Sequence, residues 1–117
     1  LHTLRMIKGN ESVRVAVKRF AEAAVEAAST NGVQLPEVKL IIPHQANIRI
    51  LQQMARRLNV PFEKVYLTIE KYANISSATV AIALDEAVRN GSIEKGDMVV
   101  LTAFGGGLTW ASSLIRW

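Results

Sequence analysis

The chain contains no cysteine. Disulfides and thiolate metal sites are therefore excluded, and the composition is compatible with a reducing cytoplasm. No apolar run approaches the roughly 20 residues that a helix needs to span a bilayer. The opening Leu1-His2-Thr3-Leu4-Arg5 has no apolar stretch of signal-peptide type, and no initiator methionine, as expected of a chain whose first residue is not a natural translation start. Aromatic residues are few, at 6%, and do not interleave with basic ones as single-strand nucleic-acid binders require. The net charge of +4 is a mild excess that favours an acidic partner. Half of the 117 residues are hydrophobic and 21% are charged, so the chain can bury a real core and is not disordered. It has no internal repeat, linker or low-complexity segment, and reads as one domain over 1–117.

Asn10 can cap a helix from Glu11, in which Val13, Ala16, Val17, Phe20, Ala24 and Ala27 recur at helical spacing. Glu11, Arg14, Lys18 and Glu22 line its other face, and Asn31-Gly32 stops it. After the connector Leu35-Pro36, Val38 to Ile42 is a β-branched run with the character of a buried strand. A second helix is predicted from about Ala46 to Leu58, with Leu51, Met54, Ala55 and Leu58 as its core stripe, and a strand over Val65 to Ile69. The third helix, roughly Ser76 to Arg89, is small nearly all round and suited to close packing on both sides. Asn90-Gly91 closes it, Glu94 to Asp97 makes a turn, and Met98 to Phe104 and Leu108 to Arg116 read as strands. The order is that of an α/β domain with short connections.

Two segments stand where a strand hands over to a helix: Pro43-His44-Gln45-Ala46-Asn47, and Tyr72-Ala73-Asn74-Ile75-Ser76-Ser77-Ala78-Thr79. A histidine after a buried strand is by default structural. At the carboxyl end of a strand, however, it stands where open α/β sheets place ligands. Asn74 alone would read as a turn residue or helix cap. Together, an imidazole N–H and an amide N–H₂ aimed at one point can hold a developing oxyanion. Gly105-Gly106-Gly107 could be a plain hairpin turn, but glycines also let backbone N–H groups approach an acyl group. Arg49, Arg56 and Arg57, with Arg14 on the first helix, would ordinarily be a solvated face.

These segments, with Phe104-Gly105-Gly106-Gly107-Leu108-Thr109-Trp110, resemble the C-terminal half of the β-ketoacyl-acyl-carrier-protein synthase III family from about Met6 to Trp117. The resemblance implies a thiolase-like half-fold, a mixed sheet with helices packed on both faces, and a buried third helix between two sheets. It implies His44 and Asn74 as catalytic donors to the thioester oxygen. Phe104, Gly105, Gly106 and Gly107 would form the active-site loop, with the Gly106 N–H serving the oxyanion of acyl transfer. Gly9 and Asn47 would line the pantetheine channel, and Arg14, Arg49, Arg56 and Arg57 would dock the acyl carrier protein. Substrates would be an acyl-coenzyme A primer, acetyl-coenzyme A first, and malonyl-acyl-carrier protein, with no cofactor or metal. The setting would be cytoplasmic, with neither membrane nor nucleic acid as partner. The nucleophilic cysteine would come from an N-terminal half that these residues do not include, and the intact enzyme would be a homodimer. Where the family has Gly-Asn-Thr, this chain has Ala73-Asn74-Ile75. Two other readings share the features: a related Cys-His-Asn condensing enzyme of polyketide type, and a non-catalytic module that binds the carrier through its basic helix.

Overall fold

A computed structural model describes residues 9–44, 48–67, 78–105 and 109–117. Its elements run α1 (Gly9–Thr30), a 3₁₀ turn (Leu35–Glu37), β1 (Leu40–Pro43), α2 (Ile48–Leu58), a second 3₁₀ turn (Phe62–Lys64), α3 (Ala78–Arg89), β2 (Met98–Gly105) and β3 (Thr109–Arg116). The strands form a mixed sheet in the order β1-β2-β3, β1 parallel to β2 and β2 antiparallel to β3. Among the described residues no helix is long and apolar enough to cross a membrane.

Strand side chains alternate between two faces, and each face has its own core. Ile41 and Val100 pack with Phe20, Ala24, Leu51, Met54 and Ala55, the buried stripes of α1 and α2. Leu40, Ile42 and Val99 pack with Ala83 and Ala87 of α3. Helices thus cover both faces, as the resemblance implies. Full burial of Phe20, Leu51 or Met54 contributes about 1.5–3 kcal/mol each. The alanine stripe of α1 is broader than the sequence pattern suggested, since Ala21, Ala23 and Ala28 are buried as well.

Several boundaries differ from expectation. Helix α1 begins at Gly9, so Asn10 lies inside the helix and not at its cap. Leu35-Pro36 is no plain connector but opens a 3₁₀ turn, where the Gln34 N–H donates to the Glu37 carboxylate at 2.7 Å. Of the strand expected over Val65 to Ile69, Val65 makes an isolated parallel bridge to Ile41, and the Tyr66 N–H donates to the Ile41 carbonyl at 2.9 Å. Residues 68 and 69 lie outside the described residues, as do 46 and 47 at the expected start of α2.

The helix stops are where glycine was expected. Gly32 and Gly91 adopt positive φ of 70° and 82°, the left-handed conformation that ends a helix at little cost to glycine. Asn59 ends α2 in the same conformation at φ 56°. Close packing of α3 is realised on one side: Ala83 and Ala87 are wholly buried against the sheet. On the far side Ala81, Asp85 and Arg89 are exposed, with Asp85 and Arg89 paired at 3.0 Å.

Candidate active site

Parallel pairing brings the carboxyl ends of β1 and β2 to one edge of the sheet. Pro43 is level with Thr102, so His44 follows at the level of Ala103, while Phe104 and Gly105 run on beyond it. Two segments that are sixty residues apart in sequence therefore become neighbours. The join is a hydrogen bond: the His44 N–H donates to the Thr102 carbonyl at 2.7 Å. Phe104 is paired in register with Trp110, and Gly105 with Thr109, so the glycine segment leaves and re-enters a regular antiparallel ladder.

His44 is half-buried, and that burial holds its imidazole below the ordinary value of 6.5. Near neutral pH the ring is therefore uncharged, with one nitrogen donating and the other accepting. An uncharged ring can donate to a developing oxyanion without first releasing a proton.

Of the other residues singled out from the sequence, Asn74, Asn47, Gly106 and Gly107 lie outside the described residues. Gly9 is the first residue of α1. Arg14 is exposed on α1, and Arg49, Arg56 and Arg57 are exposed on α2. The buried residues of α2 are Leu51, Met54 and Ala55, and Arg49 and Arg56, seven apart, share the opposite face. Ile48 and the pair Gln52 and Gln53 are exposed beside them. Among the described residues no cluster of His, Asp and Glu could hold a metal ion.

One residue here was missed by sequence reasoning. Thr102 is buried, its carbonyl ties down His44, and its hydroxyl has no partner among the described residues. The available signal was a polar residue closing the apolar run Val99-Val100-Leu101. A cavity of about 660 Å³ lies at the opposite edge of the sheet, lined by Val38–Leu40 and Gly96–Met98 among others, and none of the described site residues lines it.

Comparison with known proteins gives a consistent picture. Residues 28–117 match the family model described as 3-oxoacyl-[acyl-carrier-protein] synthase III C terminal. The chain is 45% identical over 117 residues to the β-ketoacyl-[acyl-carrier-protein] synthase III of Clostridioides difficile, covering 100% of this chain and 35% of that protein. The Aquifex aeolicus enzyme of the same name is 47% identical over 111 residues, covering 95% and 36%. The chain spans about a third of the length of the curated relatives it matches. Its fold superposes on the crystal structure of the Aquifex aeolicus synthase with a TM-score of 0.90 at 46% identity, over 96% of this chain and 36% of that one. A priming β-ketosynthase from the R1128 polyketide pathway superposes with a TM-score of 0.86 at 36% identity, over 95% and 34%.

Proposed function

Because this chain belongs to the 3-oxoacyl-[acyl-carrier-protein] synthase III family, whose C-terminal part it matches, we propose that it supplies the enolate-stabilising half of a decarboxylative condensing enzyme. The observation that carries this reading is the placement of His44: a half-buried, uncharged imidazole at the carboxyl end of β1, tied to the strand that leads into the glycine segment.

In the proposed reaction a primer acyl group passes from coenzyme A to a cysteine thiolate, which a part of the protein outside these residues provides. Malonyl-acyl-carrier protein then binds. Its carboxylate leaves as carbon dioxide, and the electron pair of the broken C–C bond becomes an enolate whose charge lies on the thioester oxygen. His44 and Asn74 donate to that oxygen, and loss of one such donor costs about 2.7–4 kcal/mol of barrier. The enolate carbon attacks the acyl-cysteine carbonyl, the Gly106 N–H steadies the resulting oxyanion, and the thiolate departs. Gly9 and Asn47 line the pantetheine channel, and Phe104 lines the catalytic cavity beside the cysteine. No cofactor or metal enters the reaction.

Arg14, Arg49, Arg56 and Arg57 form the docking face for the acidic carrier protein, supported by their exposure and by the shared face of Arg49 and Arg56. The proposed setting is the cytoplasm and the proposed intact assembly a homodimer, with acetyl-coenzyme A as primer and initiation of fatty acid synthesis as the role. A polyketide-type condensation is the second reading, favoured by the likeness to the R1128 priming ketosynthase. Incubation of the intact enzyme with labelled acyl-coenzyme A primers and malonyl-acyl-carrier protein tests both. A preference for acetyl-coenzyme A supports the first reading, a preference for other primers supports the second, and absence of condensation overturns both.

A further inference from the structure

Helix α2 carries no acidic residue at all. Its Arg49, Arg56 and Arg57 are exposed and pair with no carboxylate among the described residues. Elsewhere the helix-borne cations are matched: Lys18 and Arg19 pair with Glu22, and Arg89 pairs with Asp85. The positive charge of α2 is therefore unspent within these residues, which suits an acidic partner. Exposed charges alone, however, steer a partner more than they hold it, because water competes for each ion pair. A stable encounter also needs apolar surface to bury.

Three large apolar side chains are exposed among the described residues: Val25, Ile48 and Trp117. Val25 shares its surface hollow with Glu22 and Glu26, which would repel an acidic partner. Trp117 is tied by its main chain to Gly96 and Asp97, at the edge of the sheet away from His44. Ile48 differs from both. It is 37% exposed at the first turn of α2, immediately before Arg49. At about 100° per residue, the outer arc of the helix runs Ile48, Gln52, Arg56, Arg49, Gln53. The isoleucine thus borders the arginine face, with only an uncharged glutamine between it and Arg56. Its end of the helix is also the end near the site. Val65 bridges Ile41 in parallel, so α2 runs back from the carboxyl edge of the sheet towards the amino edge. Arg56 lies about 12 Å farther along the axis than Ile48.

We propose that Ile48 is the apolar anchor for the acyl carrier protein: the arginines of α2 draw the acidic carrier in, and Ile48 holds it beside the site once it has arrived. The inference rests on the docking reading given above and adds a division of labour within that face. Steering by charge acts on association and weakens with salt, whereas burial of an apolar side chain acts on dissociation and does not.

The test measures association and dissociation rates of the intact enzyme with apo acyl carrier protein, which lacks the pantetheine arm and so reports the surface alone. Ile48→Ala is expected to raise the dissociation rate about fivefold, as burial of roughly a third of the side chain is lost, with association and its salt dependence unchanged. Ile48→Leu, which keeps the apolar surface, should dissociate like the unmodified enzyme. Arg49→Gln should instead slow association and flatten its salt dependence. An unchanged dissociation rate in Ile48→Ala overturns the proposal, and with a lowered melting temperature it would mean that another part of the intact protein covers Ile48. Slowed association in Ile48→Ala, with the salt response of Arg49→Gln, overturns it as well. The two readings fail differently. If the unmodified enzyme does not bind the carrier, the docking face falls and Ile48 with it. If binding is present and Arg49→Gln weakens it while Ile48→Ala does not, only the anchor is wrong.

Discussion

At the scale of single residues, the proposed chemistry turns on the charge state of His44. Donation to an enolate oxygen requires the donors only after carbon dioxide has begun to leave, whereas primer transfer to cysteine draws on other groups. His44→Ala or Asn74→Ala in the intact enzyme is therefore expected to suppress decarboxylation by about 10²–10³-fold and to spare formation of the acyl-cysteine. Pre-loading the enzyme with labelled acetyl-coenzyme A and following carbon dioxide release separately checks this, and equal loss of both steps would count against the assignment. The pH dependence has a definite sign. Burial lowers the folded-state value of His44 below 6.5, so the unfolded chain binds the proton more readily than the folded one. His44 thus makes stability rise with pH between its lowered value and 6.5, and the contribution is lost as pH falls through that window. Urea titrations at several pH values should show this slope, and His44→Gln should flatten it.

At the scale of elements, α2 and α3 use opposite faces for different purposes. The inner face of α2 is fixed by Leu51, Met54 and Ala55, leaving Arg49, Arg56 and Arg57 free to meet a partner. Reversing Arg49 and Arg56 to glutamate is expected to raise the KM for malonyl-acyl-carrier protein without altering reaction with free acyl-coenzyme A. The defect should shrink as salt is added, because exposed charges are screened over about 8 Å at physiological ionic strength. An unchanged KM for the carrier in the double variant would remove the docking role. On α3 the two buried alanines leave no room. Ala83→Leu forces the helix off the sheet and should destabilise the protein by about 1–3 kcal/mol, read as a lower denaturation midpoint at unchanged slope.

For the whole molecule, the notable fact is a chemical one: residues 1–117 hold the proposed oxyanion donors, His44 and Asn74, but no cysteine to carry an acyl group. The polypeptide alone is expected to form no acyl-enzyme from labelled acetyl-coenzyme A and to release no condensed product with malonyl-acyl-carrier protein. Mass spectrometry of the polypeptide after incubation checks the first point, and product chromatography the second. Turnover by these residues alone would mean that the nucleophile is something other than cysteine and that the proposed mechanism is wrong.

Much of this was legible before folding was considered. The 3.6-residue recurrence of apolar side chains located α1 and α2, Asn-Gly pairs marked helix ends, and β-branched runs marked β1 and β2, because each depends on neighbours within one or two turns of chain. The handover from strand to helix at His44 is likewise a local pattern, and the lack of a thiol is composition alone. What the tertiary structure decided is whatever depends on contacts between distant segments. Val65 bridges Ile41, more than twenty residues earlier, only because the fold lays the two segments side by side. His44 meets the strand that leads into the glycine segment because parallel pairing sets Pro43 level with Thr102. Tyr66 reaches Glu86 and Asn90 because the sheet and α3 lie face to face. Local sequence sets periodicity and turns, while register and side-chain partnership arise only when separate elements compete for the same space and the same hydrogen bonds.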